Sequence, residues 1–216
     1  MSLKAVLFDL DGVIVDTAKY HYIAWKQLAD KLGIYFDEEI NERLKGVSRM
    51  ASLEIILERS RQKFSDEEKE VLATAKNNRY VAMVENITPA EILPGVMAFL
   101  QELKEAGVKS AVCSASKSAG MIIDLLELNG YFDAVLGGAD VSRPKPDPEI
   151  FTLARDRFGL SSADCLVVED AFAGIEAAKN AGMKALGIGD GRILTNADVV
   201  YRDMTCFSLN DAQNLF

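Results

Sequence analysis

The chain has 216 residues, of which 49% are hydrophobic and 26% charged, and its formal net charge is −9. These values are typical of one large globular domain, or one domain carrying an insertion, and they exclude disordered and collagen-like sequences. The acidic excess argues against a general affinity for nucleic acids or anionic membranes, because both require an excess of lysine and arginine.

The first predicted element is a short, continuously apolar strand at residues 5–8. A strand of this kind is buried on both faces, as in a parallel sheet. From about residue 16 to residue 90 the pattern changes to a helical periodicity rich in lysine, glutamate, arginine and leucine. This stretch predicts four helices, at residues 17–32, 38–44, 48–59 and 66–84.

Beyond two prolines at positions 89 and 94, strands and helices alternate. Further strands are predicted at residues 108–113, 134–136, 165–168, 185–188 and 199–201. Helices are predicted at residues 96–106, 121–128, 150–158 and 170–181. This alternation is typical of a doubly wound α/β domain, in which helices cover both faces of a parallel sheet.

The helical stretch that interrupts this alternation predicts an inserted domain. We expect a Rossmann-like α/β core domain of residues 1–15 and 92–216, with an α-helical cap domain of residues 16–91. The chain would cross between the two domains near residues 15–16 and 89–94, and we expect a hinge there.

Three of the predicted strands are followed by polar side chains that could converge: Asp9 with Asp11, Ser114 with Ser116, and Glu169 with Asp170. Ligands of open α/β sheets bind beyond the carboxyl ends of the strands. Carboxylates that meet there repel one another unless a cation joins them, and an all-oxygen set suits Mg²⁺. Each residue alone is also explained as an ordinary strand-end or N-cap residue, so the prediction rests on the set.

Asp9 and Asp11 are separated by one residue and followed by Gly12. If the chain turns at Gly12, both carboxylates can face one crevice. One of them can then act as a nucleophile and the other as a general acid or base. With a single histidine in the chain, acid and base chemistry falls to a carboxylate whose protonation is set by its surroundings.

Four segments occur in order across the core: F-D-L-D-G-V at residues 8–13, Ser114, R-P-K-P-D-P at residues 143–148, and V-V-E-D at residues 167–170. Together they resemble the haloacid dehalogenase superfamily of phosphotransferases, in which a helical cap is inserted after the first strand. The resemblance implies that Asp9 is the nucleophile and Asp11 the general acid and base.

The same resemblance implies ligands for phosphate and metal. Ser114 and Lys145 would bind the phosphate that reacts. Mg²⁺ would be held by Asp9, Glu169, Asp170 and the carbonyl oxygen of Asp11. Lys145 on its own is also explained as a solvated loop lysine.

Arg49 and Lys117 exceed what a hydrolase of one phosphate needs. A second cationic site, distant from Asp9, suits a ligand with a phosphate at each end. Lys117 follows the second strand at a predicted helix start, which favours anions. Arg49 alone is equally well explained as a solvated charge.

Further segments resemble the sugar phosphomutases of this superfamily: residues 9–21 with Trp25, L-K-G-V-S-R at 44–49, K-N-N-R-Y at 76–80, and S-A-S-K at 114–117. The resemblance implies interconversion of β-glucose 1-phosphate and glucose 6-phosphate through β-glucose 1,6-bisphosphate. The residues expected to bind phosphate or sugar are then Ser114, Ala115, Ser116, Lys117, Lys145, Arg49, Lys45, Gly46, Val47, Ser48, Lys76, His21 and Trp25. Further candidates are Ser118, Ser52 and Thr17.

Two of these candidates leave alternatives open. Ser118 occupies a position at which the family that the chain resembles commonly has asparagine. The serine hydroxyl reaches less far than an asparagine amide would, so related sugar phosphates remain candidate substrates. His21 lies four residues before Trp25 on one helix face. It is either an interface residue beside a packing tryptophan, or it hydrogen-bonds near Asp11 or Lys76 when the cap closes.

A phosphatase shares the core chemistry, so the prediction of a mutase depends on a cap that keeps water from phosphorylated Asp9. A non-catalytic phospho-acceptor module also uses acidic strand ends, but the helical insertion, the D-x-D spacing and the chain length argue against it. We expect a cytoplasmic, monomeric enzyme that takes a small sugar phosphate and Mg²⁺, without nucleic-acid or membrane partners. The three scattered cysteines fit a reducing compartment.

Overall fold

The computed structural model describes residues 2–44 and 47–216. Its sheet has six strands: β1 (Ala5–Phe8), β2 (Lys109–Cys113), β3 (Ala134–Leu136), β4 (Cys165–Glu169), β5 (Lys184–Ile188) and β6 (Val199–Tyr201). All neighbours are parallel, in the order β3-β2-β1-β4-β5-β6. This order reverses direction beside β1, as in doubly wound folds, and confirms the predicted fold class.

Nine α-helices lie in the described ranges: α1 (Ala18–Lys31), α2 (Glu38–Glu42), α3 (Arg49–Leu57), α4 (Asp66–Val84), α5 (Val96–Ala106), α6 (Ala119–Leu125), α7 (Glu149–Phe158), α8 (Phe172–Asn180) and α9 (Leu209–Gln213). Within residues 2–44 and 47–216, none of the helices combines the length and apolarity that crossing a bilayer requires.

Alternate residues of β1 enter the cores on opposite faces of the sheet. Val6 and Phe8 belong to one buried cluster, and Ala5 and Leu7 belong to the other. Because both faces are covered, the strand is apolar at every position. Asp9 therefore directly follows a fully buried strand, which fixes its position at the carboxyl edge of the sheet.

Helices α1 to α4 lie between β1 and β2 and have a core of their own, which includes Trp25, Leu28 and Leu53. The two chain crossings run side by side, since Val15 and Ile92 form an antiparallel bridge and Leu93 N–H donates to the Ile14 carbonyl at 2.9 Å. The domain boundaries at residues 15–16 and 91–92, and the hinge, stay predictions.

Several element starts differ from the predictions by one or two residues, and for two of them a local contact gives the reason. β2 begins at Lys109 because the N–H of Val108 donates to the Leu103 carbonyl at 3.0 Å and so closes the end of α5. α8 begins at Phe172 rather than at residue 170, because the Glu169 carboxylate accepts the N–H groups of Asp170 and Ala171.

Two other differences concern the end of α6 and a short helix near the end of the sequence. α6 stops at Leu125, and the positive φ of 58° at Glu127 reverses the chain where apolar periodicity predicted a longer helix. The short α9 was not predicted, although Ser208 and Asp211 form a capping box at its start.

Candidate active site

The carboxyl ends of β1 and β4 bring three acidic side chains together. Ligand oxygens of Asp9, Glu169 and Asp170 all lie within 4.8 Å of one another. The strands are adjacent in the sheet, which explains why residues so far apart in sequence meet. Gly12 makes room for the cluster, since its φ is +91° and a Cβ there would overlap the Asp170 carboxylate.

Lys145, in the loop between β3 and α7, pairs with two of these acids. Its Nζ lies 2.5 Å from Asp9 Oδ1 and 2.5 Å from Glu169 Oε1, and it donates to the Cys113 carbonyl at 2.9 Å. Burial by itself would lower the pKa of Lys145. The carboxylates of Asp9 and Glu169 have the larger effect, so the pKa of Lys145 is raised. Lys145 is therefore a permanently charged, buried ion-pair partner.

Glu169 is fully buried, and burial raises its pKa to about 7 against the opposing charge of Lys145. Its Oε2 accepts the N–H groups of Asp170 and Ala171, each at 3.1 Å. Gly174 faces this carboxylate so closely that a Cβ would overlap it. Three carboxylates in this space carry more negative charge than Lys145 offsets, and their hard oxygen donors fit a divalent cation.

Asp11 projects into the same crevice but its carboxylate is not part of the acidic cluster. Burial and the charge of Asp9 raise its pKa to about 8, although the charges of Lys145 and Lys76 oppose the shift. Its Oδ1 is buried without a hydrogen-bond partner among the described residues. At neutral pH this carboxyl group is protonated and able to donate a proton.

The loop after β2 presents hydroxyl groups next to the acids. Ser114 is fully buried and its Oγ accepts the N–H of Ser116 at 3.0 Å. The Oγ of Ser116 in turn accepts the N–H of Ser118 at 3.1 Å. These local hydrogen bonds order the loop that enters α6.

The helical insertion contributes a cluster of different chemistry. Lys76 Nζ lies 2.8 Å from His21 Nδ1 and 4.4 Å from the centre of the Trp25 ring. Burial, together with the charge of Arg49, lowers the pKa of Lys76 to about 7. Burial and the charges of Lys76 and Arg49 also hold the pKa of His21 well below its usual range.

A cavity of about 320 Å³ lies between the sheet edge and the helical insertion. The predicted site residues that line it are Asp9, Asp11, His21, Trp25, Val47, Ser48, Arg49, Ser52, Lys76, Ala115, Ser116, Lys117 and Asp170. The structure thus brings candidates from both halves of the chain to one cavity, which is partly open to solvent. The cavity is also lined by residues that were not among the predicted site residues: Ala18, Asn41, Leu44, Met50, Glu70, Asn77 and Gly138.

Several candidates lie outside this lining. Ser114, Glu169 and Lys145 are buried beneath it, and Lys145 also borders a smaller cavity of about 160 Å³. Thr17 is fully buried, and Ser118 precedes α6 without lining the cavity. Lys45 and Gly46 lie outside the described residues.

Most of the lining residues that the sequence analysis missed do not differ in sequence from ordinary residues. Asn41 and Glu70 lie on helix faces and Gly138 follows the short strand β3, so each looks like an ordinary surface or turn residue in sequence. Ala18, Leu44 and Asn77 carried a usable signal, because they lie in the motif segments at residues 9–21, 44–49 and 76–80. Of the two readings of His21, the contact with Lys76 is the one that the geometry favours.

A catalytic α/β core with an acidic strand edge and a helical insertion is the class that this fold and site define. A family model described as haloacid dehalogenase-like hydrolase matches residues 3–182, and the chain belongs to this family. The predicted superfamily is therefore confirmed. Members of this family and the relatives below imply a divalent metal ion, which the oxygen cluster of Asp9, Glu169 and Asp170 fits.

Among the relatives, the beta-phosphoglucomutase of Bacillus subtilis (strain 168) is 43% identical over 209 residues, covering 96% of this chain and 92% of that protein. A crystal structure of beta-phosphoglucomutase from Clostridium difficile matches with a TM-score of 0.94 at 40% identity, over 98% of this chain and 96% of that one. A phosphorylated carbohydrates phosphatase of Thermotoga maritima is 31% identical over 207 residues, covering 92% and 93%. These likenesses confirm the prediction of an enzyme.

Proposed function

We propose that the chain interconverts β-glucose 1-phosphate and glucose 6-phosphate through β-glucose 1,6-bisphosphate. The observation that carries this proposal is one cavity lined by Asp9 and Asp11 and also by the separate cations Arg49 and Lys117. A bisphosphate intermediate needs a reacting site and a second cationic site in the same cavity. The likeness to two beta-phosphoglucomutases over nearly the whole chain supports the same substrate.

Asp9 would carry the phosphoryl group between the two positions of the sugar. A carboxylate oxygen of Asp9 forms a bond to phosphorus while the bond from phosphorus to the sugar oxygen breaks. Asp11 donates its proton to the departing sugar oxygen, and it accepts a proton from the attacking hydroxyl in the reverse transfer. Its raised pKa, about 8, leaves the proton available near neutral pH.

The remaining candidates would bind the substrate. Lys145 and Ser114 would bind the phosphate that reacts, while Arg49 and Lys117 hold the other phosphate. Ser116, Val47 and Lys76 would border the sugar. The segment 44–49 would contribute backbone groups, including those of Lys45 and Gly46.

We propose Mg²⁺ as the divalent ion, held by Asp9, Glu169, Asp170 and the carbonyl oxygen of Asp11. When bound, this ion would neutralise part of the negative charge on the transferred phosphoryl group.

A sugar-phosphate phosphatase is the second candidate, and the Thermotoga maritima phosphatase favours it. The two activities differ in whether water reaches phosphorylated Asp9. Two cationic sites in one cavity favour transfer to a sugar hydroxyl, because a sugar held at both ends would cover phosphorylated Asp9 and keep water away from it.

The test supplies β-glucose 1-phosphate with a trace of β-glucose 1,6-bisphosphate and Mg²⁺, and measures glucose 6-phosphate and inorganic phosphate in parallel. Rapid formation of glucose 6-phosphate without release of inorganic phosphate supports the mutase. Stoichiometric release of phosphate rejects the mutase in favour of the phosphatase. Asp11→Ala serves as a matched variant, which should lose turnover while still binding Mg²⁺ because the Asp11 carbonyl remains.

A further inference from the structure

Tyr80 lies behind the cavity and has no part in the reaction proposed above. It belongs to α4, four residues after Lys76, so both side chains lie on one face of the helix. Its side chain is 1% exposed and packs in the same buried cluster as Val13 and Ile14, which follow β1. A residue of the helical insertion is thus anchored among residues of the sheet domain.

The ring of Tyr80 stacks on the imidazole of His21. The two ring centres are 3.9 Å apart, with an angle of 28° between the ring planes. A stack this close limits how far the imidazole can rotate, because either ring would collide with the other. In this orientation His21 Nδ1 faces Lys76 Nζ at 2.8 Å.

Aromatic faces also surround the amine of Lys76. Its Nζ lies 5.1 Å from the centre of the Tyr80 ring and 4.4 Å from that of Trp25. These distances are within the range of cation–π contacts. The Lys76 side chain is therefore oriented by two rings and one imidazole, and Tyr80 contacts both the imidazole and the amine.

The hydroxyl of Tyr80 lies next to the side chains of Thr17 and Ser116, whose interactions oppose the rise that burial causes in its pKa. Its Oη is buried, and neither neighbour meets it with the distance and angles of a regular hydrogen bond. The contacts that orient His21 and Lys76 are those of the Tyr80 ring.

We propose that Tyr80 is a positioning residue of this site: its ring fixes the His21 imidazole against Lys76 and so holds the Lys76 amine toward the sugar-binding space. The inference rests on the proposed function. A side chain that only fills the core could be replaced by another apolar side chain of similar size, whereas this role requires a flat aromatic ring.

The first test reads His21 directly and does not depend on activity. The chain has one histidine, so the tag-free protein gives a single set of imidazole signals in ¹H–¹³C correlation spectra. In Tyr80→Leu these proton signals should move downfield, because the shielding by the stacked ring is lost, while Tyr80→Phe should keep them near their original positions. Unchanged His21 signals in Tyr80→Leu would overturn the proposal.

The second test separates positioning from stability. Tyr80→Leu should lower the mutase kcat by about 10- to 100-fold with KM changed less than about threefold, because Lys76 is misplaced. Tyr80→Phe should restore turnover to within about threefold of the original enzyme. If Tyr80→Leu does not fold, Tyr80→Met makes the same comparison with a flexible side chain.

Val84→Ala is the matched control, since Val84 is fully buried on the same helix and in the same cluster. It should lower the melting temperature while the folded enzyme keeps its kcat. Equal losses of kcat in Val84→Ala and Tyr80→Leu would overturn the proposal. Absence of mutase activity in the unaltered enzyme would reject the proposed function instead, and the imidazole spectra would then decide the positioning of His21 alone.

Discussion

Two groups of residues, one on each side of the cavity and partly behind its lining, handle buried charge in opposite ways; we call them the sheet wall and the helical wall. The sheet wall (Asp9, Glu169, Asp170 and Lys145) pairs opposite charges, with Lys145 Nζ 2.5 Å from each of two carboxylates. The helical wall (His21, Trp25, Lys76 and Tyr80) surrounds an amine with rings and an imidazole. The pKa of Lys145 is raised, whereas that of Lys76 falls to about 7.

This difference shows that burial alone does not decide whether a lysine stays charged. Both side chains are almost completely buried, at 3% and 2% exposure for Lys145 and Lys76. A carboxylate in contact compensates for lost hydration, and aromatic faces compensate only in part. The sheet wall therefore carries a lysine that stays charged, and the helical wall carries an amine that is close to its neutral form near pH 7.

The largest effect is expected when Asp9, the proposed nucleophile of the sheet wall, is replaced. Asp9→Asn replaces a carboxylate by an amide that cannot form the aspartyl phosphate, so turnover should fall by about 10⁴-fold or more. Steady-state rates and incorporation of labelled phosphate into the protein measure this loss. Asp66→Asn, at a side chain 98% exposed at the start of α4, is the control and should leave both unchanged. Retained labelling in Asp9→Asn would place the phosphoryl group on another residue.

The ion pairs of the sheet wall can be broken by Lys145→Met. Without the ammonium, Asp9 and Glu169 remain buried and unpaired, and unfolding free energy in metal-free buffer should fall by about 3–5 kcal/mol. Lys109→Met removes an exposed pair with Asp133 and should change stability by less than about 1 kcal/mol. Denaturant titrations measure both.

Adding millimolar Mg²⁺ tests the same buried carboxylates in a second way. The ion should raise the melting temperature of Lys145→Met more than that of the unaltered protein, because it supplies the missing positive charge next to Asp9 and Glu169. Equal stability of the Lys145 and Lys109 variants would show that the buried pairs contribute no more than surface pairs.

Replacing the buried lysine of the helical wall should change the unfolding free energy in the opposite direction. Lys76→Met should increase the unfolding free energy at pH 7 by about 1–3 kcal/mol, because an apolar side chain replaces a poorly compensated amine. Turnover should fall at the same time, as expected when a functional group is retained at a cost in stability.

The pH dependence follows from the pKa of Lys76, about 7 in the folded protein against 10.5 for an ordinary lysine side chain. Between these values the unfolded chain binds a proton that the folded chain does not, so the contribution of Lys76 to stability rises with pH. The advantage of Lys76→Met should therefore be largest at and below pH 7 and shrink toward pH 10.5. An advantage that grows with pH would mean that Lys76 is charged when buried.

The smallest effect is expected at Ser118, which belongs to neither wall. Its side chain makes no cap hydrogen bond at the start of α6, and it does not line the cavity. Ser118→Asn should change KM for β-glucose 1,6-bisphosphate by less than about threefold. A tenfold decrease in KM would show that an amide at this position reaches the distal phosphate.

Strand positions and the acidic strand ends were predictable because their causes are local. β1, β3 and β6 match the apolar runs residue for residue. For β1 the cause is burial on both faces of the sheet, which needs a continuous apolar sequence. Where a prediction was wrong, a specific contact decided it, such as the Glu169 carboxylate that holds Asp170 and Ala171 out of α8.

The cavity lining was less predictable because it depends on contacts between distant segments. The sequence does not show that Glu70 and Asn41 border the same space as Asp9, or that Tyr80 stacks on His21. Such contacts follow from how α1, α2 and α4 pack on one another and over the sheet. Helical periodicity predicts which helix face is buried but not which helix it meets.

By itself, the sequence determined the α/β class, the helical insertion and the order of acidic, hydroxyl and lysine groups along the core. Short-range patterns suffice for these features, because residue type and spacing specify strands, helices and strand ends. The tertiary structure decided the charge states: Lys145 stays charged, Lys76 approaches neutrality and Asp11 holds its proton near pH 7. A pKa depends on burial and on the charges within a few ångströms, and only the folded chain sets both.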